Sequence, residues 1–268
     1  MPSGKQSKRR RRAARTTPPP VQRKGRQRRA SRRVLLAAAG VIVLAAIAVT
    51  LGGAFSSGSS KADVPARGSL VNALPGAADV QRLLKGIPQR GNVLGSQSAP
   101  VTLVEYVDLQ CPYCQQFETQ ALPALIGQYV RTGKVKIEAR PIAFIGPDSQ
   151  RGRAAAIAAG EQNKLFNVAQ ILYLNQGGEN TGWLNDQMIK SAAASIPGLD
   201  VPQLLSTRSS ATVNTRADAF DQQAAADNVR ATPTILVGKS GGTQRPVALK
   251  SPTDGQSVAS AINAAFRS

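Results

Sequence analysis

VTLVEYVDLQCPYC, residues 101–114, carries a β-branched, largely apolar run (Val101–Val107) straight into Cys111-Pro112-Tyr113-Cys114. The run reads as a buried strand. The cysteine motif opens a helix whose apolar face is Phe117, Leu122, Leu125, Ile126, Tyr129 and Val130, and Gly133 ends it. Pro123 falls inside that helix and is expected to kink it. Residues 135–143 read as a second strand, so the order is strand, helix, strand: a βαβ unit.

Cys111 and Cys114 are the only cysteines in 268 residues. At positions i and i+3 of a first helical turn, their Cβ atoms lie about 5–6 Å apart, which a disulfide can span. A pair at this spacing is a redox dithiol, half of a metal site, or a structural disulfide. A zinc site takes about four ligands, and the chain has no histidine. A structural disulfide here would close a loop too short to constrain the unfolded chain much. Redox chemistry needs the thiolate. Cys111 stands at a strand-to-helix junction, near the positive end of the helix dipole, and Pro112 suits the first helical position. Cys111 is therefore expected to be the exposed nucleophile and Cys114 the more buried resolving thiol.

Upstream, composition changes abruptly. The net charge of +19 is concentrated in residues 1–33, which hold 14 Lys or Arg and no acid. The remainder carries 20 basic and 15 acidic residues, so the basic character belongs to the tail. That tail has no aromatic residue and reads as disordered. Residues 34–55 are 22 residues without a charge, long enough to cross a hydrocarbon core of about 30 Å as a helix. Flanking Lys and Arg keep their side cytoplasmic, which argues for a topological tail and against a nucleic-acid partner. A cleaved export signal is the rival reading: Ser31-Arg32-Arg33-Val34-Leu35-Leu36 resembles a twin-arginine signal, and Ser60-Lys61-Ala62 is a weak cleavage site. Both readings deliver the rest of the chain outside the cytoplasm, where disulfides persist.

Downstream, the organisation is expected to be a linker with a possible short helix near 77–85 (residues 56–90), followed by one domain (residues 91–268). Residues 148–228 turn helical, with helices at 150–162, 165–175, 183–194 and 209–227. Residues 234–237 and 246–249 read as strands, and 258–266 as a closing helix. Trp183 reads as core or as part of a substrate groove. Arg151 and Arg153 read as a solvated helix face.

These residues together resemble the DsbA-like thiol–disulfide oxidoreductases of the thioredoxin superfamily, in their membrane-anchored bacterial form. The resemblance rests on the strand before Cys111, the CPYC motif, Leu122-Pro123-Ala124-Leu125, Tyr129, Gly133-Lys134-Val135, Arg140-Pro141 and the distant Ala231-Thr232-Pro233-Thr234. It implies an α/β, thioredoxin-like fold with a helical insertion, preceded by one N-terminal transmembrane helix. It implies a cis bond before Pro233, with Thr232 offering its backbone to an incoming peptide beside Pro112 and Tyr113. It implies that Glu105, sharing a strand face with Leu103 and Val107, is a buried acid exchanging a proton with Cys114; Asp108 points the other way. No bound cofactor and no metal is implied. The implied partners are exported proteins with free thiols and a quinone-linked membrane reoxidase of the DsbB or vitamin K epoxide reductase type.

One departure stands out: a histidine accompanies the second cysteine in the best-known oxidants of this family, and Tyr113 stands there in this chain. A phenol supplies no full charge, so a weaker oxidant is expected. The leading expectation is a membrane-tethered extracytoplasmic enzyme that introduces disulfides. A reductase or isomerase using the same residues is the second reading. A non-redox, membrane-anchored peptide-binding or chaperone module is the third.

Overall fold

The structure, a computed structural model, describes residues 64–268. The basic tail (1–33), the apolar segment (34–55) and the start of the linker lie outside the described residues. Among the described residues, no helix is long and apolar enough to cross a membrane.

The elements run in the order α1 (Ala77–Leu84), β1 (Gln89–Arg90), β2 (Val93–Leu94), β3 (Val101–Val107), α2 (residues 112–130) and β4 (Val135–Pro141). Then come α3 (Pro147–Gly160), α4 (Leu165–Leu174), α5 (Asp186–Ala194), α6 (Val201–Thr207), α7 (Ala211–Ala226), β5 (Thr234–Lys239), β6 (Arg245–Pro246) and α8 (Gly255–Arg267). One six-stranded sheet has the order β1-β2-β4-β3-β5-β6. β3 and β4 are parallel, joined through α2, and the other neighbours are antiparallel. All seven residues of β3 are buried. That is why its sequence is a largely apolar run, broken by Thr102 and Glu105, as expected of a strand covered on both faces.

Helix α2 runs through Pro123 without breaking. It alternates α-helical turns (Pro112–Gln116, Leu122–Leu125) with wider π turns (Phe117–Ala121, Ile126–Val130). Leu122 N–H donates to the Phe117 carbonyl, five residues back. A proline has no N–H to give and crowds the carbonyl four residues before it. The wider turn just ahead of Pro123 accommodates both demands.

The helical insertion holds five helices rather than four. The additional one, α6, starts at Asp200, whose carboxylate accepts from Gln203 N–H at 2.9 Å, with Pro202 in its first turn. Helix α4 packs against α1, α2, α3 and α5 and is buried along nine of its ten residues. It joins the insertion to the cysteine-bearing helix. Arg151 and Arg153 are not a solvated face: Arg151 pairs with Asp148 and donates to the Leu184 carbonyl, and Arg153 pairs with Asp221 at 2.7 Å. Both tie helix α3 to its neighbours.

The sheet is also longer than expected, because residues 89–94, where no strand was expected, form the β1–β2 hairpin. The last strand is only Arg245–Pro246, reached by a hairpin that folds over Gly238. A Cβ added at Gly238 would lie 2.3 Å from the Thr243 carbonyl oxygen, and backbone cannot yield as a flexible side chain does. Gly238→Ala is expected to cost about 2 kcal/mol, measured as a lower urea midpoint with an unchanged m-value.

Candidate active site

Cys111 is the N-cap of α2, with extended φ/ψ of −69°/120°. Pro112 follows at the first helical position, where a missing N–H is no loss. The Cys111 carbonyl accepts from Gln115 N–H at 3.0 Å, the first turn of the helix. This geometry aims the backbone N–H groups of Tyr113 and Cys114 at the Cys111 sulfur.

Both cysteines are free thiols, and both are buried: Cys111 is 5% exposed and Cys114 0%. The expectation of an exposed Cys111 is corrected here. Its cover comes from a segment 121 residues away: Sγ donates to the Thr232 carbonyl at 3.3 Å, and Thr232 itself is buried. The Thr232–Pro233 peptide bond is cis. Pro112 and Tyr113 remain exposed beside this contact, Tyr113 at 58%. Tyr113 therefore contributes its backbone N–H to the thiol.

The two thiols are electrostatically unlike. Cys111 is lowered from 9.0 to about 6, first by a hydrogen bond with Cys114 and, against the cost of burial, by the Thr232 side chain and the two backbone N–H groups. A thiol at about 6 is mostly thiolate at neutral pH. Burial, followed by the hydrogen bond with Cys111, pushes Cys114 well above the usual thiol range.

Two buried carboxyls, Glu105 and Glu118, act together with Cys114 on the buried Tyr173 phenol. Glu105, on β3, is 1% exposed, more deeply buried than its strand position suggested. Burial raises it from 4.5 to about 8. Glu118, one turn after Cys114 on α2, is 2% exposed. Burial first, and then the charge of Glu105, raise it well above the usual carboxylate range. Glu118 Oε2 accepts from Gln170 Nε2 at 2.6 Å, whereas Glu118 Oε1 and Glu105 Oε2 make no hydrogen bond. The Tyr173 phenol belongs to the same enclosure: burial and then Cys114 raise it, and it donates to the Asp108 carbonyl. Sequence reasoning missed Glu118. The signal was present, because Glu118 is the only charged residue among residues 112–130.

Asp108 is placed elsewhere. Its carboxylate is buried and accepts from the N–H groups of Gln110, Phe144 and Ile145 at 2.7–2.9 Å, so it shapes the loop leading to Cys111. The insertion holds the same loop. Gln176 Nε2 donates to the carbonyls of Leu109 and Cys111, and Gln110 bonds Ser149 and Asn180. Trp183 packs half-buried against the core, in line with its core reading. Among the described residues, no group of three or more His, Cys, Asp or Glu is placed to hold a metal.

Three comparisons bear on this arrangement. The thioredoxin family profile matches residues 89–247. A probable disulfide bond formation protein D of Bacillus cereus is 29% identical over 147 residues, which are 54% of this chain and 68% of that protein. The crystal structure of oxidised BdbD from Bacillus subtilis superposes with a TM-score of 0.59 at 21% identity, over 68% of this chain and 98% of that one. In addition, 34% of this chain is 37% identical, over 90 residues, to 14% of a Na(+)/H(+) antiporter NhaA 1 of Salinispora arenicola. The family match takes in both halves of the site, from the strand before Cys111 to the strand after Pro233. The chain thus belongs to the thioredoxin family, as a DsbA-like thiol–disulfide oxidoreductase.

Proposed function

We propose that this protein is a membrane-tethered, extracytoplasmic oxidant that introduces disulfides into exported proteins through Cys111 and Cys114. The observation that carries the reading is the asymmetry of the two thiols, Cys111 poised at about 6 against Thr232 and Cys114 buried well above 9.0. In the first step a substrate thiolate attacks the Cys111 sulfur of the Cys111–Cys114 disulfide. The S–S bond breaks, a mixed disulfide forms on Cys111, and Cys114 leaves as a thiolate. In that enclosure Cys114 must be protonated, and the acid form of the buried Glu105 is the donor. A second substrate thiolate then attacks the substrate sulfur and expels Cys111 as a stable thiolate. The substrate leaves oxidised by two electrons and the enzyme leaves as a dithiol.

Stabilising the reduced enzyme makes a dithiol more oxidising, and this favours the oxidant over the reductase or isomerase. The extent is moderate, because Tyr113 lends only a backbone N–H, where a pKa of about 3.5 marks the strongest oxidant of this type. A reduction potential below about −120 mV is expected. Substrate contact is supported by Tyr113 and Phe144, both more than half exposed, on segments adjoining Cys111 and its Asp108 loop. Membrane tethering is supported by the uncharged residues 34–55 behind 14 basic residues. The reduced pair is then reoxidised by a quinone-linked membrane protein.

Trapping cellular thiols with an alkylating reagent tests direction, and fractionation tests tethering. A mostly oxidised pair in the membrane fraction is expected. A mostly reduced pair would overturn the oxidant in favour of a reductase or isomerase. A released form beginning after residue 62 would replace the tether with a cleaved export signal.

A further inference from the structure

Arg140 belongs to the resemblance, yet the exchange chemistry gives it no part. Its surroundings do. Tyr106 and Glu105 are consecutive on β3 and point to opposite faces, so Tyr106 faces away from the carboxyl pair. Its hydroxyl donates to Asp227 Oδ2 at 2.7 Å. Arg140, only 14% exposed, donates to the same oxygen at 3.3 Å and to the Tyr106 hydroxyl. Its guanidinium lies 5.3 Å from the centroid of the Tyr106 ring, and Nε pairs with Glu138 at 3.0 Å.

These contacts meet at the segment that covers Cys111. Asp227 ends helix α7, and Asn228 turns the chain with a φ of +54°. Six residues later the chain re-enters the sheet at Thr234, the partner of Tyr106 in the β3–β5 register. Both ends of the 228–233 segment therefore hang on Tyr106, one through its hydroxyl and one through its backbone. Between them Arg230 and Ala231 are exposed. The bonds that tie the segment to its surroundings are Asn228 N–H to the Ala225 carbonyl, Val229 N–H to the Ala224 carbonyl, the Thr234 hydroxyl to the Ala231 carbonyl and the Cys111 thiol to the Thr232 carbonyl.

We propose that Tyr106, Arg140 and Asp227 are positioning residues that fix Thr232 over the Cys111 sulfur by pinning the two ends of this segment. The inference rests on Cys111 being the reactive thiol. Asp227 Oδ2 is shared by a phenol and a guanidinium, and a charge-assisted network of this kind loses more than one bond when any member is removed. The Tyr106 phenol, pushed up to about 12 by burial and its bond to Asp227, stays a neutral donor throughout the working range. With the upstream end loosened, Thr232 withdraws, and Cys111 loses both the carbonyl that accepts from its thiol and the side chain that favours its thiolate.

The test is the pH profile of Cys111 alkylation by iodoacetamide, read by mass spectrometry on the reduced protein, with substrate oxidation rates alongside. In Tyr106→Phe and Asp227→Ala the midpoint is expected to shift by about one pH unit from that of the wild type. Asp227→Asn keeps an acceptor for the phenol and is expected to stay near wild type. Asp227 is partly exposed, so Asp227→Ala reports even where Tyr106→Phe does not fold. Wild-type midpoints and oxidation rates in Tyr106→Phe and Asp227→Ala, with only a lowered melting temperature, would reduce the cluster to a structural one and overturn the proposal. A wild-type midpoint near 9 would overturn it together with the reactive role of Cys111, since no lowered thiol would be there to hold.

Discussion

Cys111→Ser is expected to abolish disulfide exchange, lowering the oxidation rate of a dithiol peptide by about a thousandfold or more, the scale seen when a catalytic nucleophile is lost. Cys114→Ala is expected to stop turnover too, but with mixed disulfides accumulating on Cys111. The difference follows from the two environments. At pH 7 a thiol at 9.0 is about 1% ionised and one at about 6 is about 90% ionised, a gain of about ninetyfold in thiolate. Intrinsic nucleophilicity falls with pKa, by about twentyfold over three units. As an attacking group Cys111 therefore gains only about fourfold. As a leaving group it gains on both counts, because a stable thiolate is expelled faster. The site is better built to release an oxidised substrate than to attack a disulfide, which is the balance an oxidant needs. Non-reducing gels of the two variants after exposure to reduced client proteins decide the matter. Adducts on Cys114 in the Cys111→Ser protein, at wild-type yield, would reverse the assigned roles.

The parts of this site that were legible in the sequence are those governed by local pattern. Residues 101–107 could be read as a doubly covered strand because every side chain is apolar or β-branched except Glu105, and that exception is itself the buried acid. Cys111 at a strand–helix junction with Pro112 after it is also a local signal. The burial of Cys111 was not legible, because Thr232 covers it from 121 residues away and only the folded sheet brings β5 beside β3. The β1–β2 hairpin was not legible because each strand is two residues long, too short for alternation to show. Helix α6 was read through because seven residues make only about two helical turns, too few for an apolar stripe to stand out, although Asp200 and Pro202 marked its start. Glu118 was overlooked for a different reason: a lone acid on a helix reads as solvated unless the face it occupies is known, and the Cys114 face of α2 turns inward onto α4.

Glu105→Gln is expected both to stabilise the protein at neutral pH and to slow its exchange. Glu105 is raised by burial from 4.5 to about 8, so the folded protein holds a proton that the unfolded chain releases between those values. The folded state binds more protons in that window, and stability must fall as pH rises through it. The contribution is complete below about pH 4.5 and is lost once pH passes about 8. At pH 7 the unfolded carboxyl lies about 2.5 units past its midpoint, so removing the ionisation should stabilise the fold by about 3 kcal/mol. In the proposed mechanism the same proton is the one Cys114 takes up when it leaves as a thiolate, and it is handed back for reoxidation. Losing that exchange is expected to slow turnover by about a hundredfold, the usual scale for a general acid–base group. Glu118→Gln is expected to act in the same direction, because the charge of Glu105 is the second cause of its raised value. Two carboxyls that influence each other titrate as a pair, so the double variant should fall short of the sum of the two singles. Urea denaturation from pH 4 to 9 and single-turnover exchange measure both effects. A Glu105→Gln protein that keeps the wild-type loss of stability between pH 5 and 8, or turns over at the wild-type rate, would remove the proton-exchange role from this carboxyl.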